Sequence, residues 1–257
     1  MRTPLLRLFS AIFLVSGMLA ASGCSPEDTV SFRLSDLEQA SRTPGFHREA
    51  FTLSSGRTVA VFTSMPAVGE TSIRPLVVAL HGGGPATPYR GEALVRALVS
   101  PGLESLAPII VAPDLPFQAW AHPDAADLVA SLIDAALEAW PVDPSRIVLT
   151  GYSAGGIGTW YMAAEKLNHV AAGIPVAADP VGGEAAAAIR IPMFHIHGTN
   201  DAQFPIEDVR SDVGALIRAG VPVELHETTG AGHADVAAYL DDMKTAASWL
   251  LACSDCS

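Results

Sequence analysis

The segment Gly151-Tyr152-Ser153-Ala154-Gly155 places a hydroxyl group between two glycines, directly after a short apolar, β-branched run. That run, Ile147 to Thr150, is typical of a buried parallel strand, and the glycines after it open a predicted helix. A serine on so sharp a strand-to-helix turn needs small neighbours, because side chains at the two glycines would collide with adjoining backbone. Ser153 is then exposed at a helix N-terminus, where negative charge is stabilised, and it is the candidate nucleophile.

An imidazole and a carboxylate follow this serine in chain order, as strand-turn-helix serine hydrolases require. His233 is chosen among eight histidines because it alone follows the last predicted strand in a glycine-rich loop. An imidazole exchanges its proton near neutral pH, which suits a general base. Asp201 follows another predicted strand by a tight turn, and its carboxylate can orient the imidazole. Two alternatives stay open: Asp201 as a plain surface turn residue, and Asp179 as the acid.

A run of three glycines, Gly82 to Gly84, follows His81 at the end of the predicted strand Leu76 to Leu80. Glycines at a strand's carboxyl end let backbone N–H groups turn toward the nucleophile with no Cβ in the way. The run predicts an oxyanion hole, with a plain glycine-rich turn as the alternative. His81 is interpreted as a residue that stabilises this loop by hydrogen bonding and not as a base.

These motifs together resemble the α/β-hydrolase superfamily, in particular the group of dienelactone hydrolases, polyester depolymerases and prolyl-oligopeptidase-like esterases. The matching segments are LVVALHGGG from Leu76, DPSRIVLTGYSAGGIGTW from Asp143, HGTND from His197 and GAGH from Gly230. The resemblance implies a triad of Ser153, Asp201 and His233. It also implies oxyanion donors at the N–H groups of Ala154 and Gly83, with Gly82 or Gly84 as alternatives to the latter.

The predicted fold class is α/β: an α/β-hydrolase fold with a mostly parallel, doubly wound sheet and an N-terminal antiparallel hairpin. A helix is predicted from Asp124 to Trp140, and His233 is predicted to open the C-terminal helix. The interval from Ala178 to Pro192 is too short for a lid domain, so an open, shallow site is expected. The predicted strands are Glu49–Leu53, Thr58–Ser64, Leu76–Leu80, Ile109–Ala112, Ile147–Thr150, Ala172–Ala177, Met193–His197 and Val223–Glu227.

Three aromatic residues are candidates for substrate binding. Phe117 and Trp120 follow a predicted strand in a loop at the carboxyl edge of the sheet, where open α/β folds bind ligands. They are predicted either to wall an acyl or aromatic pocket or simply to pack. Tyr152, next to the candidate nucleophile, is the third.

The first 23 residues have the pattern of a secretory signal, with Arg2 and Arg7 before the apolar run from Leu8 to Ala20. The following Ala21-Ser22-Gly23-Cys24 resembles the lipobox of bacterial lipoproteins, which implies a lipid on Cys24. A permanent membrane helix is the alternative, but the run is shorter than the roughly 20 residues that a span needs. The sequence therefore predicts a protein held at a membrane of the bacterial cell envelope by a lipid, on its periplasmic or extracellular face.

The predicted organisation has four parts: a signal peptide 1–23, a tether 24–44, the α/β-hydrolase domain 45–251 and a tail 252–257. In the tail, Cys253 and Cys256 are predicted to form a disulfide in an oxidising compartment, with two free thiols as the alternative.

Charge and histidine placement limit the partners. The net charge is −12 for the whole chain and −14 without the first 23 residues, which argues against binding nucleic acid. His195, His197 and His226 lie in or beside predicted strands, where a core histidine is the ordinary interpretation. We therefore predict no metal and no cofactor.

The predicted activity is hydrolysis of carboxylic esters, on a small molecule or a polymer end, through an acyl-enzyme on Ser153. One alternative is a peptidase of the prolyl-oligopeptidase type. Such enzymes carry a large N-terminal propeller, whereas about 50 residues lie between the predicted cleavage site and Leu76. The other alternative is a non-catalytic envelope lipoprotein that binds a partner. An intact set of serine, aspartate, histidine and oxyanion glycines argues against it.

Overall fold

A computed structural model of the protein describes residues 31–67, 71–165, 167–180, 188–253 and 256. Within them, eight strands form one mixed sheet in the order β1-β2-β4-β3-β5-β6-β7-β8. Strand β2 pairs antiparallel with β1 and β4, and the remaining pairs are parallel. The strands are β1 Gly45–Thr52, β2 Thr58–Met65, β3 Arg74–Leu80, β4 Ile109–Pro113, β5 Val142–Tyr152, β6 Val170–Val176, β7 Met193–Gly198 and β8 Val223–Thr228.

In the described ranges, six helices cover the two faces of this sheet. Helix α2 spans 91–102 and contains a π-helical stretch, Val95–Val99. Short 3₁₀ turns lie at Glu104–Leu106 and Val236–Tyr239. The other helices are α1 Leu34–Gln39, α3 Pro123–Ala139, α4 Ala154–Ala164, α5 Ile206–Arg218 and α6 Leu240–Ala252.

The central strands are apolar on both faces because helices cover both. Strand β3 shows how the core divides: Leu76, Val78 and Leu80 face the layer of α1 and α3, while Val77 and Ala79 face the layer of α2 and α6. Parallel strands buried on both faces are expected to be continuously hydrophobic. The predicted fold class is therefore confirmed, including the hairpin, whose first strand begins at Gly45, before the predicted Glu49.

The N-terminal tether prediction is wrong over its described part. Residues 34–39 form a helix that packs on the domain, with Leu37 fully buried and Phe32 7% exposed. The Trp140 indole N–H donates to the Leu37 carbonyl oxygen (3.0 Å). The segment is polar on average, yet one apolar face of this short helix finds a buried position. The signal peptide and Cys24 lie outside the described residues.

The C-terminal segment differs from prediction in one respect. His233 does not open a helix: it lies in a loop, a 3₁₀ turn follows, and α6 begins only at Leu240. The loop leaves the ring free to turn toward the carboxyl ends of the strands. In the tail, Cys253 and Cys256 form the predicted disulfide.

None of the helices described is long and apolar enough to cross a membrane.

Candidate active site

Ser153 lies on the turn between β5 and α4 with backbone angles of φ +54° and ψ −118°. This region is strained for a residue with a side chain and costs about 1–3 kcal/mol. The turn is held because the Ser153 N–H donates to the Val176 carbonyl oxygen (2.9 Å). A Cβ at Gly151 would lie 2.2 Å from the Gly155 oxygen, and one at Gly155 would lie 2.0 Å from the Leu80 oxygen. Both glycines are therefore needed for the steric reason predicted from the sequence.

The three predicted triad residues meet at the carboxyl edge of the sheet. His233 Nε2 lies 2.9 Å from Ser153 Oγ, and His233 Nδ1 lies 2.7 Å from Asp201 Oδ2. Since an ionised carboxylate only accepts, Nδ1 carries the proton and Nε2 is left to accept from the serine hydroxyl. The arrangement is that of a nucleophile, a base and a group that orients the base.

Asp201 is the carboxylate that bonds the imidazole, and its side chain is fully buried. Burial alone would raise the pKa of Asp201, but hydrogen bonds from the Phe204 N–H, the His233 ring and the Gln203 N–H outweigh it and hold the pKa below its usual value. The two backbone N–H groups donate to Oδ1 at 2.9 and 2.8 Å. Asp201 therefore stays ionised beside the imidazole.

The pKa of Asp179, the alternative acid, is shifted in the opposite direction from that of Asp201. It is half-buried at the end of β6. Burial, together with the neighbouring carboxylates of Asp212 and Asp208, raises its pKa. The contact with His233 is made by Asp201 and not by Asp179.

Two tyrosines hold the loop that carries His233. The Tyr152 hydroxyl donates to the His233 carbonyl oxygen, and the Tyr239 hydroxyl donates to the Gly232 carbonyl oxygen (2.9 Å). The Gly232 N–H in turn donates to Asp235 Oδ2 (2.8 Å). Tyr152 was predicted as a pocket residue. The structure adds its contact with His233, and Tyr239 has no sequence motif that would have identified it.

The glycine loop after β3, Gly82 to Gly84, lies beside the Ser153 turn. A Cβ built on Gly83 would lie 4.0 Å from the Ala154 Cβ. The two residues predicted to supply oxyanion donors are therefore adjacent in space. The His81 Nδ1–H donates to the Gly82 carbonyl oxygen (2.8 Å), and the Leu115 N–H donates to His81 Nε2 (3.2 Å). Burial lowers the pKa of His81, which keeps the ring neutral, with one donor and one acceptor nitrogen. His81 therefore makes the loop contacts that the sequence analysis predicted.

A cavity of about 250 Å³ opens beside this loop and is lined by Gly83, Ala154, Phe117, Trp120 and Ile157 among others. Phe117 is half-exposed in it. Trp120 is 2% exposed, and its indole N–H donates to the His81 carbonyl oxygen (2.9 Å). Trp120 thus lines the cavity and is also packed in the core, so both alternatives given for it from the sequence apply.

A second cavity of about 330 Å³ lies against the same glycines and is lined by Tyr152, Leu94 and Val236 among others. The glycine loop therefore borders two cavities. Arg90 lines both, and sequence analysis did not identify it.

Three further histidines lie in strands β7 and β8. His195 and His197 are fully buried in β7, and His226 stacks on Phe194 with ring centroids 3.8 Å apart. His197 Nε2 donates to the Phe204 carbonyl oxygen (2.8 Å) and lies 3.6 Å from Asp201 Oδ2. Across the part of the chain that the structure describes, no group of three or more His, Cys, Asp or Glu side chains is placed to hold a metal ion.

The strand order, the strained serine turn and the bonded serine, histidine and aspartate define an α/β-hydrolase fold. The chain belongs to the dienelactone hydrolase family, whose model matches residues 116–250, just over half of the chain. The matched region contains Ser153, Asp201 and His233, while the glycine loop at 82–84 lies before it.

Similar proteins include esterases. A bifunctional acetylxylan esterase/xylanase of Neocallimastix patriciarum is 36% identical over 73 residues, which are 28% of this chain and 11% of that protein. A thermostable esterase of known structure superposes with a TM-score of 0.67 at 25% identity, over 80% of this chain and 62% of that one. This chain therefore corresponds to only part of either protein.

Esterase 2 of the planctomycete Thermogutta terrifontis superposes with a TM-score of 0.60 at 23% identity, over 81% of this chain and 92% of that one. At that identity the likeness is one of fold.

Proposed function

We propose that this protein is a serine hydrolase that cleaves carboxylic esters through an acyl-enzyme on Ser153. The observation that carries the proposal is the unbroken line of hydrogen bonds from Ser153 Oγ through the His233 ring to Asp201. Membership of the dienelactone hydrolase family and the likeness to esterases support the ester as the bond that is cleaved.

In the first half of the reaction, Ser153 Oγ attacks the ester carbonyl carbon while its proton passes to His233 Nε2. The carbonyl oxygen becomes an oxyanion, which accepts hydrogen bonds from the N–H groups of Gly83 and Ala154. The Ala154 N–H is suitable because the first N–H groups of a helix have no partner within it. The intermediate then expels the alcohol oxygen, which takes the proton from His233.

In the second half, a water molecule gives a proton to His233 and its oxygen attacks the acyl carbon. The bond to Ser153 Oγ breaks, the serine regains the proton, and a carboxylic acid leaves. Asp201 stabilises the imidazolium that forms in each half and stays ionised, in keeping with its low pKa. Removing one oxyanion donor in such sites costs about 10²–10³ in rate.

The proposal is tested with short p-nitrophenyl esters and the variant Ser153→Ala. We expect turnover to fall by at least about 10⁴, because the residual rate comes only from binding and the oxyanion hole. Ser145→Ala is the matched control, since Ser145 is exposed and its side chain bonds Asp143, two residues away. Activity of Ser153→Ala near that of the wild type would exclude Ser153 as the nucleophile.

A fluorophosphonate probe separates the enzyme from a non-catalytic binding protein. The native wild type is expected to be labelled at Ser153, and heat-denatured protein and Ser153→Ala are expected to remain unlabelled. A panel of peptide amides beside the esters tests the peptidase alternative: faster cleavage of the amides would replace the esterase proposal.

The substrate panel should include acetyl esters of sugars. The similar protein from Neocallimastix patriciarum is named as an acetylxylan esterase, and an acetyl group is small enough for the cavity of about 250 Å³. Longer acyl chains and aromatic acyl groups complete the panel, because Phe117 in that cavity offers an apolar ring face.

We also propose that the protein is attached to the bacterial cell envelope by a lipid on Cys24. The basic and apolar N-terminal pattern followed by Ala21-Ser22-Gly23-Cys24 supports this. Metabolic labelling with an alkyne fatty acid in a bacterial host should mark the wild type and fail for Cys24→Ser. Equal labelling of the two proteins would overturn the proposed attachment.

A further inference from the structure

The side chain of Arg90 bonds the glycine loop, Gly82 to Gly84, on both sides of Gly83. Its Nη2 donates to the Gly82 carbonyl oxygen at 3.1 Å and to the Gly84 carbonyl oxygen at 3.0 Å. The His81 ring donates to the same Gly82 oxygen, which therefore accepts two hydrogen bonds. The three glycines have no side chains of their own with which to fix this loop.

The bonds to the Gly82 oxygen determine where the Gly83 N–H points. In a trans peptide unit the C=O of one residue and the N–H of the next point in opposite directions. Arg90 and His81 hold the Gly82 C=O on one side, so the Gly83 N–H faces the other. Gly84 has φ +138°, a conformation that residues with a side chain rarely adopt, so this position of the loop needs a glycine.

Arg90 is itself held in place by its backbone. The Asp114 carboxylate, directly after β4, accepts from the N–H groups of Tyr89 and Arg90, both at 2.8 Å. Tyr89 has φ +61°, so these bonds also stabilise an unfavourable backbone conformation. The backbone of Arg90 is therefore fixed to the edge of the sheet. Because these bonds involve backbone N–H groups, a change of the Arg90 side chain leaves them intact.

We propose that Arg90 is a positioning residue that holds the Gly82–Gly83 peptide so that the Gly83 N–H faces the oxyanion formed at Ser153. The inference rests on the proposed function, since it assigns Arg90 a part in the same reaction. Arg90 does not touch the reacting atoms in this role. It acts by keeping a backbone donor aligned before the substrate arrives, which lowers the reorganisation needed in the transition state.

The test compares Arg90→Met, which keeps the length but loses the donors, with Arg90→Lys, which keeps a charge and one donor group. Arg96→Met is the matched control: Arg96 lies in helix α2, which begins directly after Arg90, and contacts Glu92 and two phenylalanine rings, away from the loop. For Arg90→Met we expect kcat to fall about 10- to 100-fold with KM changed less than about 3-fold, because the lost alignment matters mainly in the transition state. Arg90→Lys should lose less than about 10-fold, and Arg96→Met should match the wild type.

A pair of inhibitors gives a readout that a general structural role would not move. An aryl trifluoromethyl ketone forms a tetrahedral adduct with an oxyanion, whereas the corresponding methyl ketone binds as a ground-state analogue. For Arg90→Met the inhibition constant of the trifluoromethyl ketone should rise by the same factor as kcat/KM falls, and that of the methyl ketone should stay constant. Thermal unfolding of each variant shows whether the fold is retained.

Four results would overturn the inference. An unchanged kcat in a folded Arg90→Met variant would show that the loop is aligned without the guanidinium. A rise in KM alone, confined to esters that carry a negative charge, would make Arg90 a substrate contact. Equal weakening of both ketones would assign Arg90 to stability. The same conclusion would follow if Arg90→Met failed to fold while Arg90→Lys behaved like the wild type. Failure of the proposed function is distinct, because the wild type itself would then hydrolyse no ester.

Discussion

The Tyr152 hydroxyl donates a hydrogen bond to the backbone carbonyl oxygen of His233. The two residues are 81 positions apart, and their rings also lie close, with centroids 5.5 Å apart. The same tyrosine ring lies beside the glycine loop, since a Cβ at Gly82 would be 3.0 Å from Tyr152 Cδ1. One side chain next to Ser153 therefore lies against both the loop that carries His233 and the glycine loop.

Tyr152→Phe keeps the ring and removes only the bond to His233. We expect kcat to fall about 3- to 20-fold, because small displacements of a catalytic base lower rates strongly. The free energy of unfolding should fall by about 0.5–1.5 kcal/mol, the net value of one hydrogen bond. Tyr161→Phe, on helix α4 away from the loop, is the control for steady-state assays and urea unfolding. A kcat equal to that of the control would show that the loop holds His233 without this bond.

Asp201→Asn tests which carboxylate serves the imidazole. The amide can present its N–H₂ to His233 Nδ1 and so favour the wrong tautomer, and we expect kcat to fall about 10³- to 10⁴-fold. Asp179→Asn should stay within about 3-fold of the wild type, since Asp179 does not bond His233. Stopped-flow or steady-state assays of the two variants on one ester are sufficient. The reverse order of activity would make Asp179 the acid.

The sequence was sufficient to predict the sheet and the three residues that meet on it. Buried parallel strands such as Ile147–Thr150 are continuously apolar, and glycines flank Ser153 because a Cβ there meets backbone. The histidine and the aspartate could be chosen because parallel strands end at one edge, so chain position translates into spatial position.

Side-chain contacts between distant segments could not be predicted. The bonds from Arg90 to the glycine loop depend on where Asp114 holds its backbone, and nothing in the spacing of these residues indicates it. The bond from the Trp140 indole to the Leu37 carbonyl oxygen likewise joins residues 103 positions apart. Averaged polarity made residues 31–44 resemble a tether, whereas Phe32, Leu37 and Ala40 in this segment are buried against the domain.

Leu37→Ala measures how much this N-terminal helix stabilises the domain. Leu37 is fully buried against the core, so its truncation should lower the free energy of unfolding by about 2–4 kcal/mol. The neighbouring Glu38→Ala, at an exposed position, should change it by less than about 0.5 kcal/mol. Urea unfolding followed by tryptophan fluorescence measures both. Equal stabilities would mean that residues 31–44 act as a tether in solution.

Gly155→Ala tests the steric limit at the serine turn. A methyl group there would lie 2.0 Å from the Leu80 oxygen and 2.8 Å from the His81 oxygen, both backbone atoms that cannot rotate away. We expect a loss of at least about 3 kcal/mol in the free energy of unfolding, or failure to fold, with no measurable ester hydrolysis. Gly214→Ala is the contrast, because its methyl would meet only the flexible end of Arg218 at 3.3 Å in a helix. Gly214→Ala should raise the free energy of unfolding by about 0.5–1 kcal/mol. A stable, active Gly155→Ala protein would contradict the turn geometry.

The buried histidines of β7 predict that stability falls in acid. Burial, and next the neighbouring His197, lowers the pKa of His195 from 6.5 to about 3, so between these values the unfolded chain binds a proton that the folded protein does not. The free energy of unfolding is therefore not reduced by His195 above about pH 6.5. It declines as the pH falls from there toward 3.

His195→Leu removes this titration while filling a similar volume beside Trp160. In the variant, the slope of unfolding free energy against pH should be smaller by up to about 1.4 kcal/mol per pH unit between pH 6 and 4. Some decline should remain, because burial also lowers the pKa of His81 and His197. Urea unfolding at pH 7, 6, 5 and 4 gives both slopes. Parallel curves for wild type and variant would show that His195 takes up a proton equally in the folded and unfolded states, and its burial would then not account for acid sensitivity.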